Sequence, residues 1–127
     1  MQLDTILVVN AVVALAYAAG LLLVPAMLSD LYGLTSGASE QLMARFFGVA
    51  QLAQGLIIWF ARDMTDTKAR RAIVWALLIS DVAGLIVSSW GTFSGVMNAS
   101  GWSAVAIYVF FGLAYAYFLC RNPEIER

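Results

Sequence analysis

A chain of 127 residues with 62% hydrophobic and only 12% charged side chains lacks the polar surface that a water-soluble domain of this size needs. Most of its surface therefore faces hydrocarbon, and a net charge of −1 leaves no electrostatic footprint for nucleic acid. Histidine is absent and Cys120 is the single cysteine, so an intrachain disulfide is excluded, and neither a zinc or haem site nor any other cofactor is expected.

A bilayer core about 30 Å thick is crossed by about 20 mostly apolar helical residues, and the sequence holds four such runs. The first spans about 5–28. It contains Ala16-Tyr17-Ala18, a small-x-small pattern like a signal-cleavage site, but Met1-Gln2-Leu3-Asp4 lacks the positive region of a signal peptide and the apolar run continues to Leu28. It reads as a retained membrane helix. Pro25 is expected to kink it or end it nearby. The stretch Ala26–Leu34 places Met27, Leu28, Leu31, Tyr32 and Leu34 roughly on one side, the pattern of a short helix lying in the interface.

The second run covers about 42–61. Ser39 is a candidate cap and Glu40 suits the positive end of the helix dipole. The third run covers about 72–90, with Asp66 or Thr67 as its cap. The fourth covers about 102–120 and is closed off by Pro123. None of the runs alternates apolar and polar residues, which argues against barrel strands. The expectation is one transmembrane domain, 1–127, folded as an all-α polytopic four-helix bundle.

With four spans, both termini and the loop between the second and third helices share one side. That side holds Arg62, Lys68, Arg70, Arg71, Arg121 and Arg127, whereas the other holds Asp30, Glu40 and, just inside the second helix, Arg45. The bias places both termini in the cytoplasm of a multi-pass protein of the cell's inner (plasma) membrane. Trp59, Trp75 and Tyr117 fall near the cytoplasmic ends, and Tyr32, Trp90 and Trp102 near the outer ends. The basic loop from Arg62 to Arg71 reads as a topology determinant touching anionic lipid.

A shift of 64 residues aligns Ala19-Gly20-Leu21 with Ala83-Gly84-Leu85, Ser36-Gly37 with Ser100-Gly101, Ser39 with Ser103, Phe46-Phe47-Gly48 with Phe110-Phe111-Gly112, and Ala50 with Ala114. One reading is a duplicated two-helix hairpin, giving parallel repeats related by an axis along the membrane normal. The other is coincidence in a biased composition.

Small residues recur four apart: Ala16 and Gly20, Ala44 and Gly48, Ser80, Gly84 and Ser88, and Gly112 and Ala116. Helices in lipid associate through close backbone approach, so Gly20, Gly48, Gly84 and Gly112 are expected at helix contacts. Such contacts line the interior of one bundle or face a second subunit.

Asp81, in the middle of the third helix, is the most informative residue. A carboxylate at mid-bilayer costs about 2.5 kcal/mol or more, so it must face the bundle interior or a wet cavity, on the same helix side as Gly84 and Ser88. It is either a proton or cation site or a structural hydrogen-bond partner. Tyr17 aligns with Asp81 under the repeat shift and is expected at matching depth, within reach of a Tyr17–Asp81 bond. Gln51 and Gln54 lie three apart at mid-depth on the second helix. Arg45 either snorkels to headgroups or reaches toward Asp81 across an axial offset of about 9 Å. Asn10 reads as interhelical glue, and the uncharged segment Gly91–Gly101 as a surface connection.

No catalytic constellation is present: no histidine base, no paired carboxylates, no phosphate-cradling loop. The chain reads as a non-enzyme. The arrangement Leu31-Tyr32-Gly33-Leu34, Ala44-Arg45-Phe46-Phe47-Gly48, Gly55-Leu56 and Trp59 to Arg62 resembles small bacterial inner-membrane proteins, broadly similar to the DoxX-like four-helix proteins. That resemblance implies a four-helix bundle in a bacterial inner membrane and no reaction. Two functions follow as expectations. One is a non-catalytic protein that self-associates or serves as an accessory subunit, with lipids and membrane subunits or further copies of itself as partners. The other is a small carrier or binder of a hydrophobic or cationic solute that uses Asp81 with Tyr17, Gln51, Gln54 and Arg45.

Overall fold

The computed structural model describes residues 2–121. In chain order the helices are α1 (Leu3–Leu23), α2 (Pro25–Leu31), α3 (Ala38–Ala61), α4 (Thr67–Phe93) and α5 (Gly101–Cys120), with no strand among the described residues. Pro123 and Arg127 lie outside them. Four helices, all but α2, are long and apolar enough to cross a bilayer. The protein is thus an all-α bundle of the transmembrane type.

Each helix boundary has a local cause. α1 stops at Leu23, short of the expected Leu28, because Pro25 has no N–H to offer the helix and pushes Val24 out of the helical region. Val24 adopts φ −136°, ψ 58°, and Pro25 then serves as the first residue of α2. α3 starts at Ala38 with Gly37 as its cap, so Ser39 lies inside the first turn rather than before it. α4 begins five residues ahead of the apolar run. There the Asp66 side chain accepts a hydrogen bond from the Ala69 amide at 3.1 Å and holds the first turn closed.

The bundle is built from two tight pairs, α1 against α3 and α4 against α5, which touch each other only sparsely. Glycines set the close approach of α1 and α3. A Cβ on Gly48 would fall 2.9 Å from the Leu21 Cβ, and one on Gly55 would fall 2.8 Å from the Leu15 side chain. In the second pair Gly84 lets the Tyr108 ring lie over the α4 backbone, where a Cβ would stand 2.3 Å from it. Gly20 makes room for Leu28, so α2 folds back onto α1.

The pairs meet mainly at the end that carries the start of α1, the α3–α4 loop and the end of α5. Leu3, Ile6, Leu7 and Ala11 of α1 pack there with Ile58 of α3, Val74 and Leu77 of α4, and Phe111, Tyr115 and Phe118 of α5. Arg70, buried in the first turns of α4, pairs with Asp4 of α1. Asn10 donates to the Tyr115 hydroxyl at 2.6 Å, joining α1 to α5. At the opposite end, Asn98 in the α4–α5 loop donates its side-chain amide to the Leu31 carbonyl at 3.1 Å and its backbone amide to the Tyr32 carbonyl at 2.9 Å. The connection from Gly91 to Gly101 is therefore stitched to the end of α2, not merely laid over the surface. Phe46, Phe60, Ile79, Val87, Trp90 and Leu113 stand exposed around the outside, where acyl chains would solvate them.

Candidate functional site

Because the long helices of the two pairs pack together mainly at one end, a cavity of about 1150 Å³ lies between them toward the α2 end, where the Asn98 stitch joins the halves. Its volume is at or beyond the upper end of ordinary small-molecule pockets, about 300–1,000 Å³. Each long helix gives it one face at helical spacing. α1 supplies Asn10, Ala14, Tyr17 and Leu21. α3 supplies Ala44, Phe47, Gln51 and Gln54. α4 supplies Asp81, Gly84 and Ser88, and α5 supplies Ala104, Tyr108 and Phe111. Lining residues that are also exposed fall mainly in two places: Met43 and Phe47 on α3 with Ala83 and Val87 on α4, and Gly33, Thr35, Ser39 and Glu40 from the end of α2 to the start of α3. The cavity thus opens both between α3 and α4 and at the α2–α3 loop end.

Asp81 stands at the deep end. It is 5% exposed, and its Oδ2 atom is buried with no hydrogen-bond partner among the described residues. Gly112 sits opposite, where an added Cβ would lie at an ordinary 3.6 Å from the Asp81 Cβ. A buried polar atom left unsatisfied costs about 1–3 kcal/mol, and more when charged, so native structures rarely keep one without a use for it. The neighbouring polar groups do not remove that cost. Ser88 turns its hydroxyl onto the Gly84 carbonyl of its own helix at 2.7 Å, and Asn10 is committed to Tyr115. The amides of Gln51 and Gln54 form no side-chain hydrogen bond within the described residues and remain available to a guest.

The structure brings Asp81, Tyr17, Gln51 and Gln54 around one cavity and leaves Arg45 out of it. Two expected bonds do not form. Tyr17 does not bond Asp81: the Tyr17 and Tyr32 hydroxyls lie 2.5 Å apart and share a hydrogen bond. The Pro25 break is the reason, since it turns the chain back and sets Tyr32 beside α1. Arg45 does not reach toward Asp81 either. It is exposed, and its Nε donates to the Leu22 carbonyl at 3.3 Å. Leu22 is in the last turn of α1, where the helix leaves its carbonyls without partners, and Arg45 fills that vacancy from the side of α3 turned away from the cavity.

Sequence reasoning missed Tyr108, whose ring fills the space above Gly84 and lines the cavity. Its signal was present: Tyr108, Phe111 and Tyr115 follow one another at spacings of three and four along one face of α5. Sequence reasoning also missed the Asp4–Arg70 pair, in which Arg70 is not a headgroup ligand but a buried partner of α1. Among the described residues no group of three or more His, Cys, Asp or Glu side chains is placed to hold a metal ion.

Comparison of the chain with family models, with curated proteins and with solved structures gives no match.

Proposed function

We propose that this protein is a membrane-embedded binder or carrier of a hydrophobic or cationic solute, seated in a bacterial inner membrane with both termini in the cytoplasm. The observation that carries this reading is the partnerless Asp81 carboxyl at the deep end of a large cavity. An acid at mid-bilayer whose only role was to lock helices would be expected to bond a neighbouring helix. The opening between α3 and α4 gives a lipophilic molecule a path from the acyl-chain region to that carboxyl, beside the second opening at the α2–α3 loop end. The basic residues at the end holding the α3–α4 loop support the orientation.

The competing proposal, self-association or an accessory role in a larger complex, rests on the small-residue faces. Those glycines are largely engaged within the chain: Gly48 and Gly55 against α1, Gly84 against Tyr108, Gly20 against Leu28. This favours the solute-binding reading. A hairpin duplication is compatible with it, since the tight pairs α1–α3 and α4–α5 are the two halves that the repeat shift relates.

The test is photolabelling in lipid nanodiscs with an uncharged, membrane-partitioning aryl diazirine, followed by peptide mapping. The reading predicts adducts on cavity residues such as Gln54 and Asp81 as well as on outward residues such as Phe46 and Leu113. Adducts confined to the outward residues would show that no solute enters, and the reading would fall.

A further inference from the structure

Resting on the reading of the cavity as a solute site, we infer that its ligand is a compact lipophilic organic cation, held at its charged centre by Asp81, and not a lipid or an acid. Among the described residues the lining includes two acids, Asp81 at depth and Glu40 at the rim, and no lysine or arginine. Arg45 is turned onto the Leu22 carbonyl, and Arg70 is paired with Asp4 at the closed end, beyond the packed core. An anion entering this space meets a carboxyl and finds no counter-charge. A cation meets the one partner that the unsatisfied Oδ2 atom lacks.

The walls are suited to the same guest. Tyr17, Tyr32, Tyr108, Phe47 and Phe111 present aromatic rings to the cavity, and ring faces attract cations within about 6 Å, more strongly when water is excluded. The free carbonyl oxygens of the Gln51 and Gln54 amides add acceptors. A cation that carries its own apolar groups suits aromatic and aliphatic walls better than a hydrated metal ion does.

Polarity at the midplane, added to that of Thr35, Ser39 and Glu40 at the loop end, argues against a phospholipid. A lipid entering from the membrane keeps its headgroup at the surface and sends its acyl chains toward the midplane. Here the midplane end holds Asp81, Gln51, Gln54 and Asn10, a poor bed for a hydrocarbon tail. The polar group of the ligand belongs at that end, with its apolar body among Met43, Phe47 and Val87 between α3 and α4.

The experiment compares three ligands of similar shape in nanodiscs, each corrected for partition into protein-free nanodiscs: tetraphenylphosphonium, tetraphenylborate and uncharged tetraphenylsilane. The phosphonium is expected to bind about tenfold or more tighter than the other two, a step of the size that single close interactions supply. Asp81→Asn, close in shape, should erase that preference, whereas Asp63→Asn on the α3–α4 loop should leave it intact. The comparison on the unaltered protein stands even if the Asp81 variant folds poorly. Equal binding of all three would overturn the cation assignment and leave the solute-binding reading in place. A cation preference that survives in Asp81→Asn would overturn the role of Asp81. Binding of none of the three overturns the inference, and the diazirine labelling then decides whether the reading of the cavity falls with it.

Discussion

The Asn10 amide on α1 donates to the Tyr115 hydroxyl on α5 across 2.6 Å, linking the two helix pairs at the floor of the cavity. Tyr115 is completely buried and stacks on Phe111, so its hydroxyl has no water to fall back on. Interhelical hydrogen bonds of this kind contribute on average about 0.6 kcal/mol and up to about 1.7. Tyr115→Phe is expected to lower stability by about 1 kcal/mol in detergent unfolding. Combined with Asn10→Leu it should cost less than the two single changes added together, since the second change removes a group already left unpaired. Strict additivity would show that the bond does not operate.

The glycines should respond to alanine in a defined order. At Gly84 the new methyl would stand 2.3 Å from the Tyr108 ring, so Gly84→Ala must displace that ring into the cavity. A loss of about 1–3 kcal/mol, typical of overpacking, and weaker solute binding are expected. At Gly112 the methyl meets only an ordinary contact at 3.6 Å, and Gly112→Ala should stay within about 0.5 kcal/mol of the parent protein. Thermal melting of the two variants side by side checks the order, and a reversal would contradict the described seating of Tyr108.

Asp4 and Arg70 differ in burial: the Arg70 side chain is 5% exposed and that of Asp4 is 55% exposed. Removing the acid therefore strands a buried cation. Asp4→Asn is expected to cost about 2 kcal/mol, below the range for fully buried pairs because water already reaches Asp4. The double change Asp4→Asn with Arg70→Met should be milder than Asp4→Asn alone, because no uncompensated charge is left behind. A double variant less stable than Asp4→Asn in equilibrium unfolding would show that the arginine acts through something other than its charge.

Much of the helical layout can be read from the residues, and the reasons are local. Span number and approximate position follow from runs long enough to cross hydrocarbon, and Asp81 stands out because an acid is rare at that depth. Gln51 and Gln54 share a face by spacing alone. Hydropathy alone misses the α4 start at Thr67, because Lys68, Arg70 and Arg71 interrupt the apolar run while the backbone stays helical, but the capping side chain of Asp66 marks it in the sequence. The Tyr17–Tyr32 bond and the Asp4–Arg70 pair depend on which helices become neighbours. The cavity depends on the long helices of the two pairs packing together mainly at one end, and spacing within a single helix carries none of that information.

Asn98 makes the main polar stitch between the α4–α5 loop and the end of α2, through its side chain to Leu31 and its backbone to Tyr32. Asn98→Ala removes the first of these bonds and the turn bond to the Ser100 amide. Faster amide hydrogen exchange is expected over residues 94–101 and over the end of α2, with the core around Tyr115 unchanged. Unaltered exchange in the loop would show that backbone bonds alone hold it.

The most direct measurement is a crystal structure grown from a lipidic mesophase. It should show open space or bound-ligand density next to the Asp81 carboxyl, with Gln51, Gln54 and Tyr108 around it and α3 parted from α4. A carboxyl hydrogen-bonded to a neighbouring helix, with α3 and α4 zipped together along their length, would contradict the account at its centre.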